Sequence, residues 1–172
     1  GIVGGTDNLG TIDITAAAFV GGAAITSAVD NSITLTTDAV ALNGAVTTSG
    51  TGDIIIEPRT TTTTIGLNDA AGALNLTAAE LGLLASADSG TIGLATTGTG
   101  TIDIGSIDTI DLSAETFDMV LHGGALDFNF PAANDTLTLP ANKTLTFNTG
   151  AITSSNNATI DLTIGATGTA IF

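Results

Sequence analysis

Gly10-Thr11-Ile12-Asp13-Ile14 recurs letter for letter as Gly100-Thr101-Ile102-Asp103-Ile104, and Gly52-Asp53-Ile54-Ile55-Ile56 and Ala158-Thr159-Ile160-Asp161-Leu162 are close variants. These segments alternate apolar and polar residues, the pattern of a strand with one buried face. Around them the spacing is regular. Ile12, Ile33 and Ile54 lie 21 residues apart, as do Ile14, Leu35 and Ile56, while Leu74 and Leu76 follow after 20. A second set, Ile25, Val46 and Leu67, keeps the same step of 21. Two strands per turn returning in fixed phase describe a coil whose equivalent side chains stack rung upon rung. The sequence thus predicts an all-β chain, a β-solenoid of about eight coils rising roughly 40 Å.

Strand chemistry agrees. Thr, Ile and Val dominate the alternating runs, and turns are marked by Gly21-Gly22, Asn43-Gly44, Ser49-Gly50-Thr51-Gly52, Asn68-Asp69, Gly98-Thr99-Gly100 and Gly123-Gly124. Short strands at this spacing also suit a sandwich or barrel, and the in-phase step of 21 favours the solenoid. After the first third the period loosens, so loops there vary in length. All six Phe except Phe19 fall between Phe117 and Phe172, which predicts a bulkier core in the later coils. No linker divides the chain, and residues 1–172 are read as one domain. Thr77-Ala78-Ala79-Glu80 has capping-box spacing ahead of Leu81, Leu83 and Leu84, which predicts one short helical turn near 77–84.

Composition bounds the function. Of 172 residues 43% are hydrophobic, enough for a core, but with one Met and no Trp, Tyr or Cys that core is built of thin aliphatic layers. Seventeen acids against Arg59 and Lys143 give a net charge of −15, which repels phosphate backbones and anionic lipid, so neither nucleic acid nor membrane insertion is expected. The acids are scattered singly and read as a solvated face. The chain starts at Gly1 with no basic leader and no apolar run near 18 residues, so it is expected to be a processed protein or a piece of a longer one.

Gly52-Asp53-Ile54-Ile55-Ile56-Glu57-Pro58, Thr63-Thr64-Ile65-Gly66-Leu67-Asn68-Asp69 and Leu74-Asn75-Leu76-Thr77-Ala78-Ala79-Glu80-Leu81 resemble repeats of large haemagglutinin-like exoproteins and autotransporter-type adhesins of bacteria. Val120-Leu121-His122-Gly123-Gly124-Ala125-Leu126-Asp127-Phe128 and Lys143-Thr144-Leu145-Thr146-Phe147-Asn148-Thr149-Gly150-Ala151-Ile152 look like segments of the same proteins. The chain departs from them at Gly93-Leu94, where similar repeats tend to carry Gly-Arg. The resemblance implies a right-handed parallel β-helix, export to the cell surface or the extracellular space, and a role in attachment or as a stalk.

Candidate chemistry is sparse. Polysaccharide-cleaving β-helices need acids clustered with Arg or Lys, and aromatics to hold sugar rings. One Arg, one Lys and one His with no Trp or Tyr point away from an enzyme, and no catalytic residue or cofactor is assigned. His122 is expected at a turn, and Arg59 and Lys143 beside neighbouring carboxylates. Asp103, Asp108 and Asp111, with Asp13, Asp53 and Asp161, would stack into acidic ladders if their coils align; Ca²⁺ would relieve the repulsion, but solvated acids are the favoured reading and no metal site is assigned. Thr60 to Thr64 is read as a stacked threonine strand or corner. The Asn-x-Thr triplets at Asn75, Asn134, Asn142 and Asn157 satisfy the glycosylation acceptor rule and are read as incidental.

The ends carry the functional expectation. Gly1, Ile2 and Val3 at one end and Ala170, Ile171 and Phe172 at the other are β-prone, mostly apolar, and without a charged or helical cap. A bare end coil exposes a sheet edge and a core layer. End-to-end stacking into homo-oligomers, or continuation into flanking repeats of a longer chain, is therefore the expected partnership. The alternative is a stalk or binding module whose loops recognise a glycan or host protein.

Overall fold

The computed structural model describes residues 9–67, 72–86, 88–92, 101–104, 109–111, 117–128, 136–139, 141–153, 161–164 and 168–171. Within them lie twenty short strands and a single helical turn, Ala78–Leu81. Every ladder between strands is parallel. The strands are two to six residues long, rich in Ile, Leu, Val and Thr, whose branched side chains suit a pleated surface.

One long sheet organises the rest. Its strands are Ile12–Ala16, Ile33–Thr37, Ile54–Glu57, Ser89–Ile92, Asp118–Gly123, Thr144–Thr149 and Thr169–Ile171, and they lie side by side in sequence order. The chain thus leaves this sheet after each strand and returns to add the next rung. The inward column at its start is Ile12, Ile33, Ile54, Gly90, Met119, Leu145 and Ala170, each the register partner of the next. The predicted step of 21 holds for the first two intervals and then becomes 36, 29, 26 and 25 residues.

Between rungs the chain contributes to further parallel sheets. Phe19–Gly21 pairs with Val40–Leu42, and Ile25–Thr26 pairs with Val46–Thr47, which pairs in turn with Leu84–Ala85. A five-stranded sheet runs from Leu74–Leu76 through Ile65–Leu67, Thr101–Ile104 and Ala125–Phe128 to Ile152–Thr153. Thr109–Asp111, Thr136–Leu139 and Asp161–Ile164 form a last one. The buried hydrophobic side chains that are described form one core reaching from Ile12 to Phe147, with Ala170 packed against it. Phe117 and Phe147 are buried in it, in keeping with the bulkier later core.

Two expected registers are corrected. Leu74 and Leu76 do not follow Ile54 and Ile56; they pair with Ile65 and Leu67, nine residues earlier in the chain. Leu67 likewise does not continue Ile25 and Val46, whose next partner is Leu84. Parallel neighbours ordinarily need a crossover of about a dozen residues. The shorter return here depends on glycine: a Cβ at Gly72 would collide with the backbone of Ile65 and Gly66, so only a residue without one lets the chain pass this close. The extra rung lengthens the third excursion to 36 residues, from Ile54 to Gly90.

Gly90 itself occupies a core position between Ile54 and Met119. A Cβ there would run into the ring of Phe117, which is 1% exposed, so an aromatic from the next pass fills the gap left by the missing side chain. The space around them leaves no room for water. We predict that Gly90→Val overpacks this layer and lowers stability by about 1–3 kcal/mol. Thermal denaturation followed by circular dichroism checks this, and Phe117→Leu in the same chain is expected to recover part of the loss.

Candidate functional site

Of the predicted end residues, Gly1, Ile2, Val3 and Phe172 lie outside the described residues. Ala170 and Ile171 belong to the last strand of the long sheet, paired with Leu145 and Thr146. Ala170 is half-buried against the core and Ile171 is 47% exposed. At the opposite edge stands Ile12–Ala16, where Ile12 is buried, Ile14 is only partly covered, and Asp13 and Thr15 are exposed. Among the described strands each of these two has a neighbour on one side only.

What joins one rung to the next outside the backbone ladders is a set of carboxylates and hydroxyls at the corners. Asp30 Oδ1 accepts from the Thr51 N–H (2.9 Å) and hydroxyl (3.3 Å), 21 residues on. Asp53 Oδ1 accepts from the Ser89 N–H (3.1 Å) and hydroxyl (2.7 Å), and Asp118 Oδ1 from the Thr144 N–H (2.7 Å). Asp38 takes three bonds, from the Thr60 N–H (2.8 Å), the Thr60 hydroxyl (2.9 Å) and the Thr63 hydroxyl (3.0 Å). Asp30 and Asp38 thus satisfy donors in the bends between strands, and Asp53 and Asp118 the N–H that opens the next strand. The run from Thr60 to Thr63 is the predicted threonine corner, folded around the carboxylate one rung back.

Burial works against the charge on Asp38, but the hydrogen bonds from Thr60 and Thr63 and the nearby Arg59 guanidinium outweigh it. Its carboxyl is held below the ordinary value of 3.8. Arg59, exposed at the corner, therefore does act on a neighbouring carboxylate. Lys143 precedes the strand Thr144–Thr149, and its carbonyl accepts from the Thr169 N–H (2.9 Å).

A second column is internal. Ser27, Thr48 and Ser86, each at most 5% exposed, close equivalent corners by donating to the carbonyls of Asn31 (2.6 Å), Gly52 (2.7 Å) and Ser89 (2.6 Å). A third device sits under the helical turn. Thr77 and Glu80 form the reciprocal capping box that their spacing predicts, within a turn that spans 78–81 rather than 77–84. The same Glu80 carboxylate also serves the strand Val40–Leu42, its Oε1 accepting from the buried Leu42 N–H at 2.7 Å. The Val40–Leu42 strand pairs with Phe19–Gly21 on one side, and the glutamate supplies an acceptor for its Leu42 N–H.

The other candidates separate. Asp13 aligns with Thr34 and Ile55, Asp111 with Thr138, and Asp161 with Thr136, so these acids do not stack on one another. Asp103 has Gly66 on one side and Asp127 on the other, the single pair of acids in register among the described ladders. Asp108 lies outside the described residues, and among those described no three His, Asp or Glu side chains gather to hold a metal. His122 is not at a turn: it lies within the strand Asp118–Gly123 beside Asn148, because the strand runs one residue beyond it. Burial pushes its pKa below the ordinary 6.5. Of the Asn-x-Thr sites, Asn75 lies in a strand with its Oδ1 buried, Asn142 occupies a turn at φ 60°, and Asn134 and Asn157 lie outside the described residues. No helix among the described residues is long and apolar enough to cross a membrane.

The sequence reading missed the corner acids and Glu80's second role. Asp30 with Thr51 and Asp38 with Thr60, 21 and 22 residues apart, carried the signal, since the same period that aligns core residues also aligns turns. Nothing in the sequence links Glu80 to Leu42. Comparison with protein-family models, with curated proteins and with solved structures finds no match.

Glu80→Ala is expected to cost about 2–4 kcal/mol, the sum of a lost cap and a buried N–H left without a partner, while Glu80→Gln, which keeps an amide oxygen, costs less. Chemical denaturation of the two variants checks this. Acid is expected to weaken the fold in two windows. The contribution of neutral His122 is complete above about 6.5 and is lost as pH falls through its depressed folded value; that of ionised Asp38 is complete above about 3.8 and is lost as pH falls through its own. Melting temperatures measured across pH should lose the first step in His122→Asn and most of the local contribution to the second in Asp38→Asn.

Proposed function

We propose that this chain is a non-enzymatic structural segment of a secreted bacterial surface fibre, a right-handed parallel β-helix that stacks end to end into filaments. The observation that carries this reading is the sheet order. A long sheet grows by one parallel strand per pass, and its two outermost described strands, Ile12–Ala16 and Thr169–Ile171, have a neighbour on one side only. Seven rungs of the long sheet at about 4.8 Å give a rod segment roughly 30 Å long, with later passes longer than 21 residues. Right-handed connection is the rule for parallel crossovers in general. Export and surface location rest on the resemblance to adhesin repeats.

Function in this reading is mechanical. Parallel ladders run along the rod, so load on the fibre is shared by backbone hydrogen bonds at every rung. The corner acids add bonds in the same direction, from Asp30, Asp38, Asp53 and Asp118 to the following rung. The net charge of −15 keeps neighbouring rods apart and leaves the ends as the contact of least repulsion.

Electron microscopy of the purified chain is expected to show unbranched filaments a few nanometres wide, about the width of one coil, and more of them as added salt screens the charge. Monodisperse monomers in sedimentation at all salt concentrations would remove the reading.

A further inference from the structure

We propose a specific register for the joint between copies: Thr169-Ala170-Ile171 of one copy lies beside Thr11-Ile12-Asp13 of the next, so that the long sheet continues without a break. This rests on the filament reading above and adds to it which residues meet. The same three columns pass through both edges. The polar column just before each core position is Thr11, Ser32, Asp53, Ser89, Asp118, Thr144 and Thr169. In it the side-chain oxygen of one rung repeatedly takes the N–H of the next: Ser32 from Asp53 (3.1 Å), Asp53 from Ser89 (3.1 Å) and Asp118 from Thr144 (2.7 Å). The hydroxyl of Thr169 is placed to receive the N–H of Thr11 of a following copy in the same way.

The inward column runs from Ile12 to Ala170, so this register sets Ala170, half-buried, against Ile12 and covers the core layer at that edge. The outward column is Asp13, Thr34, Ile55, Thr91, Val120, Thr146 and Ile171. Here the exposed Ile171 meets Asp13, and no acid opposes an acid across the joint. A shift of one residue would turn the core column of one copy toward the outer face of the other, since side chains alternate along a strand. A head-to-head or tail-to-tail contact would break the parallel sense that every ladder among the described residues shares.

The chain has no cysteine, so introduced pairs report without background. Asp13→Cys and Ile171→Cys in one chain are separated by six rungs, roughly 30 Å, far beyond the reach of a disulfide, about 4.4–6.8 Å between Cα atoms. Both side chains are exposed, so neither substitution should disturb the fold, which circular dichroism verifies. Mild oxidation of assembled protein is expected to give a ladder of covalent oligomers on a non-reducing gel, dissolved by reductant. The pair Thr15→Cys with Ile171→Cys, displaced by two residues to about 8 Å, is expected to give little. Filaments that form without cross-linking at Asp13, or that cross-link better at Thr15, overturn the register and leave the filament reading standing. Dimers from Ile171→Cys alone overturn the head-to-tail sense. Absence of both filaments and cross-links sinks the filament reading itself.

Discussion

The parallel backbone ladder is the interaction on which everything else in this chain depends. Each strand of the long sheet spends its N–H and C=O groups on the rungs before and after it, and a strand of three to six residues has no stability without those neighbours. The chain must therefore return to the same sheet again and again, and each return must be in register. Side chains then fall into columns without further instruction, aliphatic inside and Thr, Asp or Ile outside.

The corners are where that constraint is hardest to meet, because a ladder stops wherever the backbone bends. Three solutions recur. Asp side chains accept from the rung that follows, at Asp30, Asp38, Asp53 and Asp118. Buried hydroxyls close a tight bend on its own carbonyl, at Ser27, Thr48 and Ser86. At the helical turn, Glu80 serves both its own cap and the Leu42 N–H. Acids that looked like solvated decoration are thus partly structural, each accepting from an N–H, and at Asp30, Asp38 and Asp53 also from a hydroxyl, of the following rung.

Glycine does the complementary work of letting elements approach. Gly72 allows two parallel strands to be joined by a short return, and Gly90 yields its place in the core to the Phe117 ring. Both positions mark the transition from the regular early passes to the longer later ones. A mostly aliphatic core accommodates such changes because an aromatic can take the space where a neighbour is small, as Phe117 does beside Gly90. The two outermost rungs of the long sheet are built from the same residue classes as the interior ones, and that likeness underlies the proposed stacking.

How much was legible in the sequence follows from what each interaction reads. Ile12, Ile33 and Ile54 stack as their spacing predicts because a period of 21 puts each in phase with the next. The Thr77 to Glu80 box was equally legible, being a contact within four residues. The all-β character, the stacking of the first three rungs and the helical turn were determined by the sequence itself, through alternation, local capping and a constant step. The partners of Leu67, Leu74 and Leu84, the place of Phe117 and the bond from Leu42 to Glu80 were decided only by the tertiary structure. Backbone N–H and C=O groups are the same in every residue, so once the spacing changes, any aliphatic strand can take the next place in the ladder. Which one does is settled by loop length, by where glycine lets the backbone pass, and by which side chain fills the space left beside it.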